Sequence, residues 1–190
     1  MKLRLLLVLA LVAAVPALTR ATVVVRPSFD QLVERADLII EGEVVDVRAR
    51  WDVRAGERVI VSDVTIRVRR TLKGTSSAQV VLQFFGGTVG KYSMQLAGMP
   101  PFAPGDRSVL FLRNDGGRGY PLVGLMHGRF RIARGADGVD RVTTFDDRTI
   151  GDVSQIGEPL APRRTASPPM TADAFASAIV QRVASPRASR

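Results

Sequence analysis

The chain has 190 residues, with 27 Lys and Arg against 18 Asp and Glu, a net charge of +9 and a pI near 11.2. At 46% hydrophobic and 24% charged it is neither a disordered polyelectrolyte nor a polytopic membrane protein, and its length allows one domain with extensions. The absence of cysteine excludes disulfide frameworks, thiol catalysis and Cys-ligated zinc, and the single histidine, His127, excludes any site built on two imidazoles.

The basic pI invites a nucleic-acid reading, so where the charge lies matters more than its total. Three of the nine net charges belong to Lys2, Arg4 and Arg20. Another four come from Arg163, Arg164, Arg182, Arg187 and Arg190, set against Asp173 alone. The segment 22–162 is therefore close to neutral.

Residues 1–21 read as a secretory signal peptide. Lys2 and Arg4 make a basic start, Leu5–Leu18 carries no charge, and small residues follow Pro16. The apolar run spans about 21 Å as a helix, short of the roughly 30 Å hydrocarbon core, which argues against an uncleaved anchor. Cleavage after Ala17 or Ala21 fits, and no cysteine is placed for lipid attachment. The expectation is an exported protein, periplasmic or extracellular, that is not integral to the membrane once the leader is removed.

In the mature chain, residues 22–25 (TVVV) read as an extended entry. Ser28 and Gln31 form a capping box for a two-turn helix with an apolar stripe of Phe29, Leu32, Val33 and Ala36. Residues 38–51 read as a long strand whose apolar phase slips from Val44 to Val45, as a β-bulge would cause, with Gly42 permitting a bend. After a turn at Ala55-Gly56, a second long strand covers 59–72, and a third covers 80–85 before Gly86-Gly87. Residues 88–107 form an irregular loop with a short strand near 92–96, a candidate binding rim. Val109–Leu112 is apolar throughout, as suits a central strand. Asn114–Gly119 reads as a turn with a returning strand over 120–126, and 128–133 pairs with 139–145. Residues 146–170 read as a Pro/Arg-rich linker, 171–184 as a helix whose stripe of Phe175, Ile179 and Val183 should dock on the barrel or on a partner, and 185–190 as a disordered tail. The expected fold is all-β: a small five- to six-stranded OB-like barrel over 22–145, with a short N-terminal helix and a C-terminal helix.

The candidate chemical motifs are weak. Gly86-Gly87-Thr88-Val89-Gly90-Lys91-Tyr92 has three residues between its outer glycines and no Ser or Thr after the lysine, so it fails as a phosphate loop; backbone turns explain the glycines. His127 has no nucleophile elbow to serve. Asp137, Asp140, Asp146 and Asp147 lack EF-hand spacing. Arg48, Arg50, Arg67, Arg69 and Arg70 could make a basic stripe with Trp51, Tyr92 and Phe84 or Phe85 as stacking platforms. Asp46, Asp52, Glu57 and Asp63 interleave with them, which favours a salt-bridged strand face over a nucleic-acid site. No catalytic, cofactor-binding or metal-binding residue is assigned, and no cofactor is expected.

The run ADLIIEGEVVDVRARWD, followed by a strand ending in TLKG, resembles the N-terminal barrel of the tissue inhibitors of metalloproteinases and netrin-like modules. GGTVG, PPFAPGDRSVLFL and YPLVGLMHGRFRI are similar to a group of uncharacterised exported bacterial proteins, some of which carry such a module ahead of a matrixin-type metalloprotease domain. The resemblance covers about 29–132 and implies a five-stranded OB-type barrel. It implies no inhibitory site, because the zinc-chelating N-terminal cysteine of those inhibitors is missing, and no protease motif follows. The functional expectation is a non-enzymatic binding module for a protein or other ligand at the cell envelope, contacting it through the C-terminal helix and basic tail. The alternative is a hydrolase or calcium-dependent enzyme using His127.

Overall fold

The structure, a computed structural model, describes residues 26–158 and 168–185. The predicted leader and residues 22–25 and 186–190 lie outside these. Helix α1 (Phe29–Arg35) starts at the expected capping box: Ser28 accepts from the Gln31 amide while the Gln31 side chain accepts from the Ser28 amide. Two 17-residue strands follow, β1 (Leu38–Arg54) and β2 (Glu57–Lys73), then β3 (Gln79–Phe85). A two-stranded ribbon, β4 (Gly87–Val89) with β5 (Tyr92–Met94), leads to β6 (Arg107–Leu112), β7 (Arg129–Arg134) and β8 (Asp140–Thr143). Helix α2 (Ala172–Ala184), capped by Thr171, closes the described chain.

Six strands form one antiparallel sheet in the order β3-β2-β1-β6-β7-β8. The predominantly β architecture with two helices agrees with the sequence reading; the sheet is an open row, with no closed barrel detected. Strand β1 is the shared element, pairing with β2 along nearly its whole length and with β6 over Leu38–Glu43. Its register against β2 skips at Val45, the position of the phase slip, and skips again opposite Arg69 and Leu72. Each extra residue adds local twist and bends the ribbon. Gly42 sits where β1 and β2 press together: a Cβ there would lie 2.4 Å from Ile66 Cγ2 and 2.8 Å from the Arg67 carbonyl.

The sheet has an apolar layer on each side. One holds Phe29, Leu32 and Val33 of α1, Phe175 and Ile179 of α2, and Ile39, Phe111, Phe130 and Val142 of the sheet. Phe130 and Phe175 stack at 4.8 Å between centroids. The other holds Ile40, Val44, Val64, Ile66, Leu82, Phe84, Leu110 and Leu112. Strand β6 feeds both layers, which is why its four apolar residues run without interruption. The start of α2 is fastened by charge. Buried Glu41 accepts from Arg70 at 2.7 Å, and Arg70 also donates to Asp173 at 2.9 Å.

Two expectations are corrected. No strand returns over 120–126: Leu122 makes one bridge to Leu112, after which Gly124 and Leu125 take positive φ (67° and 58°) and a 3-10 turn spans Leu125–Gly128. Left-handed backbone cannot continue a ladder. The stretch after 145 is not all linker, because Ile150 and Ile156 are buried in the helix-side layer and the Met170 amide donates to the Ile150 carbonyl. The apolar stripe of α2, expected to dock on the barrel or on a partner, packs on this chain's own sheet, where Phe175 and Ile179 are fully buried.

Candidate functional site

Gly86 follows β3 and Gly87 opens β4, with φ of 103° and 130°, a path that a side chain would oppose. The Gly86 amide donates to the Ile60 carbonyl at 2.8 Å, and its carbonyl accepts from Ser62 Oγ at 2.7 Å. These bonds fold the β4–β5 ribbon back over the second half of β1 and β2. A Cβ on Gly87 would stand 2.4 Å from Ser62 Oγ and 2.9 Å from Ala49 Cβ, so the ribbon's first residue rests directly on the sheet.

Beyond that contact the ribbon and sheet separate, leaving an open groove of about 560 Å³. Its floor is Val47, Ala49, Val64 and Phe84; its walls are the ribbon and the segment Gln95–Phe102. The groove lies over the end of the second apolar layer, against which Met99 and Phe102 pack, with Phe102 stacked on Phe84 at 4.8 Å. The volume falls within the usual range for small-ligand sites, roughly 300–1,000 Å³, and so does the mainly apolar lining.

Outside the groove lining, a cationic aromatic row joins β1, β2 and the ribbon. Trp51, two residues beyond Ala49 on β1, meets Tyr92 edge-on at 5.6 Å. The Arg58 guanidinium lies 4.5 Å from the Trp51 ring, and Lys91 Nζ lies 5.5 Å from the Tyr92 ring. Tyr92 is exposed and Trp51 is half-buried.

The far wall is tied down by a buried arginine. Arg129, on β7, donates to Ser108 Oγ at 3.1 Å, to Asp106 Oδ2 at 2.8 Å and to the Pro101 carbonyl, and its guanidinium covers the Phe102 ring at 4.2 Å. Burial pulls the Arg129 pKa below its ordinary value against the pull of Asp106. A second recess, about 370 Å³, lies across the same segment against Met126, Arg131 and Phe145.

The structure separates the residues singled out from the sequence. Of the stacking candidates, Trp51 and Tyr92 meet, whereas Phe84 pairs with Phe102 and Phe85 with Tyr120. The arginine stripe is largely neutralised, through Arg48–Asp46, Arg50–Asp63, Arg69–Glu43 and Arg70–Glu41. The hydrogen bond from Arg69 holds Glu43 below the ordinary carboxylate range; burial opposes ionisation of Asp63, and bonds from Arg50 and Gln83 outweigh it. The four C-terminal aspartates are each held by arginine: Asp137 by Arg141, Asp140 by Arg107, Asp146 by Arg148 and Asp147 by Arg131. Among the described residues no three His, Asp or Glu side chains converge to hold a metal ion.

His127 sits in the 3-10 turn, edge-on to Phe145 at 5.1 Å. Burial and nearby Arg26 push its pKa below 6.5. Gly86, Gly87 and Gly90 all have positive φ, which accounts for the glycine-rich run as backbone geometry. Sequence reasoning missed the Arg129–Asp106 tie, which joins residues 23 apart across β6 and carries no local motif. Among the described residues no helix is long and apolar enough to cross a membrane. Comparisons with protein-family models, with curated proteins and with solved structures find no match.

Proposed function

We propose that the protein is an exported, non-enzymatic binding module that takes a ligand with an apolar body and an anionic end into the groove beneath the β4–β5 ribbon. The observation that carries this reading is the groove itself, with its apolar floor and glycine-hinged wall; the Arg58–Trp51–Tyr92–Lys91 row, which lies outside the lining and continues along β1 and the ribbon, is the nearby cationic element that an anionic end would meet. Export rests on the basic and apolar leader of residues 1–21. An OB-type curl of the sheet, with the second apolar layer as its interior, is supported by the long shared β1 and its bulges. The resemblance to netrin-like modules supports that fold reading and supplies no inhibitory chemistry.

Trp51 is the only tryptophan, so its emission reports on the cationic aromatic row. The probe is 1-anilinonaphthalene-8-sulfonate, an apolar dye with one anionic group. Saturable energy transfer from Trp51 to the dye is expected, weakened about tenfold by Val47→Gln on the floor, equivalent to about 1.4 kcal/mol. Binding unchanged by Val47→Gln, or no saturable binding, would overturn the groove reading. Fractionation with and without residues 1–21 tests export; identical distribution would overturn it.

A further inference from the structure

We propose that the outer edge of β3 pairs antiparallel with the β3 edge of a second copy of this chain, joining two sheets across a two-fold axis at Val81. Strand β3 ends the six-stranded row, and its hydrogen-bonding phase against β2 follows from two flanking bonds. The Val68 amide donates to the Ala78 carbonyl at 2.9 Å and the Gly86 amide to the Ile60 carbonyl at 2.8 Å. The antiparallel pattern then assigns Val80, Leu82 and Phe84 to β2, and leaves the backbone N–H and C=O of Gln79, Val81 and Gln83 directed outward; the Gln79 carbonyl accepts from Ser77 Oγ and keeps a second lone pair for the edge.

Edges of this kind are normally blunted by charge, proline, bulges or a covering segment. The opposite edge obeys that rule. Strand β8 has four residues, two of them charged, and is covered by bridges from Thr143 to Thr149 and Arg141 to Thr171 and by the bond from the Val142 amide to the Met170 carbonyl. Among the described residues the β3 edge does not. No Lys, Arg, Asp, Glu or Pro occurs from Gly74 to Gly90, and Val81 is 62% exposed.

The sequence of this edge is complementary to itself. With Val81 opposite Val81 of the second copy, Gln79 of each strand falls opposite Gln83 of the other, and all three residue pairs are of the doubly hydrogen-bonded kind. Val81 gains an apolar neighbour. The Gln83 amide is already oriented, donating to Asp63 at 3.0 Å and accepting from Arg54, and keeps one N–H and one lone pair for Gln79. One strand further in, Arg67 of one copy and Asp63 of the other bracket each glutamine pair, since Arg67 pairs with Gln79 and Asp63 with Gln83. Opposite charges thus flank the seam, and no like charges meet across it. An unrelated extended peptide would find the outward backbone groups but not this two-fold match.

The test uses the cysteine-free chain. Val81→Cys places one thiol on the two-fold axis, and Val53→Cys, also exposed but on β1, serves as control. Mild oxidation of the full-length protein is expected to cross-link Val81→Cys to dimer at least tenfold faster than Val53→Cys. Wild type should sediment as a dimer at micromolar concentration and Val81→Lys as a monomer. A monomeric wild type, equal cross-linking rates, or a dimer that survives Val81→Lys would each overturn the proposal. Dye binding in the groove is read separately on Val81→Lys, so failure here leaves the groove reading standing or falling by its own result.

Discussion

The two sides of the sheet differ in how they are closed. On one side, α1 and α2 lay complete apolar stripes onto the strands, and Phe111, Phe130 and Phe175 fill the space between them. On the other, among the described residues, Leu122, Met99 and Phe102 cover part of the strands, and the glycine-hinged ribbon and the segment 95–102 leave the groove over the rest. Helices cover a sheet continuously because three or four side chains per two turns face it, whereas a loop has no such periodicity. Stability therefore concentrates on the helix side, and ligand space is left on the loop side.

The largest expected effect is on the helix side. Phe175→Ala removes a fully buried ring that touches Phe29, Phe111 and Phe130, and should cost about 3–5 kcal/mol in denaturant unfolding. Met99→Ala, at the groove, should cost about 1 kcal/mol because its side already borders open space. Equal losses would erase the contrast between the two sides.

Arg129→Ala comes next, at about 3 kcal/mol, because it leaves Asp106 and the Pro101 carbonyl without their buried donor. Hydrogen exchange should accelerate over 95–106 more than over α2. Gly87→Ala should cost about 1–3 kcal/mol, since its methyl group meets Ser62 and Ala49 and its φ is 130°. Its sharper effect is on the groove: the displaced ribbon should separate Tyr92 from Trp51 and shift the tryptophan emission.

The smallest effect is a pH dependence. The folded state holds His127 below its unfolded pKa near 6.5, so the unfolded chain binds the proton more readily. The stability contributed by neutral His127 is complete above that value and is lost as pH falls through the lower, folded pKa. Unfolding free energy followed from neutral to acidic pH should decline less in His127→Gln than in wild type; parallel curves would contradict the assignment.

Much of this architecture is legible in the residues. Ser28 and Gln31 announce α1, the Val44-to-Val45 slip marks the bulge in β1, and the apolar run of β6 identifies a strand covered on both faces. Local chemistry decides each of these. Residues 120–126 misled because their apolar content suits a strand, while Gly124 and Leu125 take left-handed backbone and Gly128 lies too close to the Val123 backbone to carry a Cβ. Ile150 and Ile156 were hidden in a proline- and arginine-rich setting, although burial needs only two well-placed side chains. The groove had no motif at all. Its lining comes from segments separated by up to 55 residues, Val47 to Phe102, and the turn glycines at 86 and 87 were the hint of a ribbon folding back.

Hydrogen exchange on the full-length protein, with and without 1-anilinonaphthalene-8-sulfonate, tests the division between the two sides most directly. Amides of β6 and α2 should exchange only through global unfolding, and residues 86–102 through local opening that the dye suppresses. Uniform protection across both regions, or dye protection confined to the helices, would contradict it.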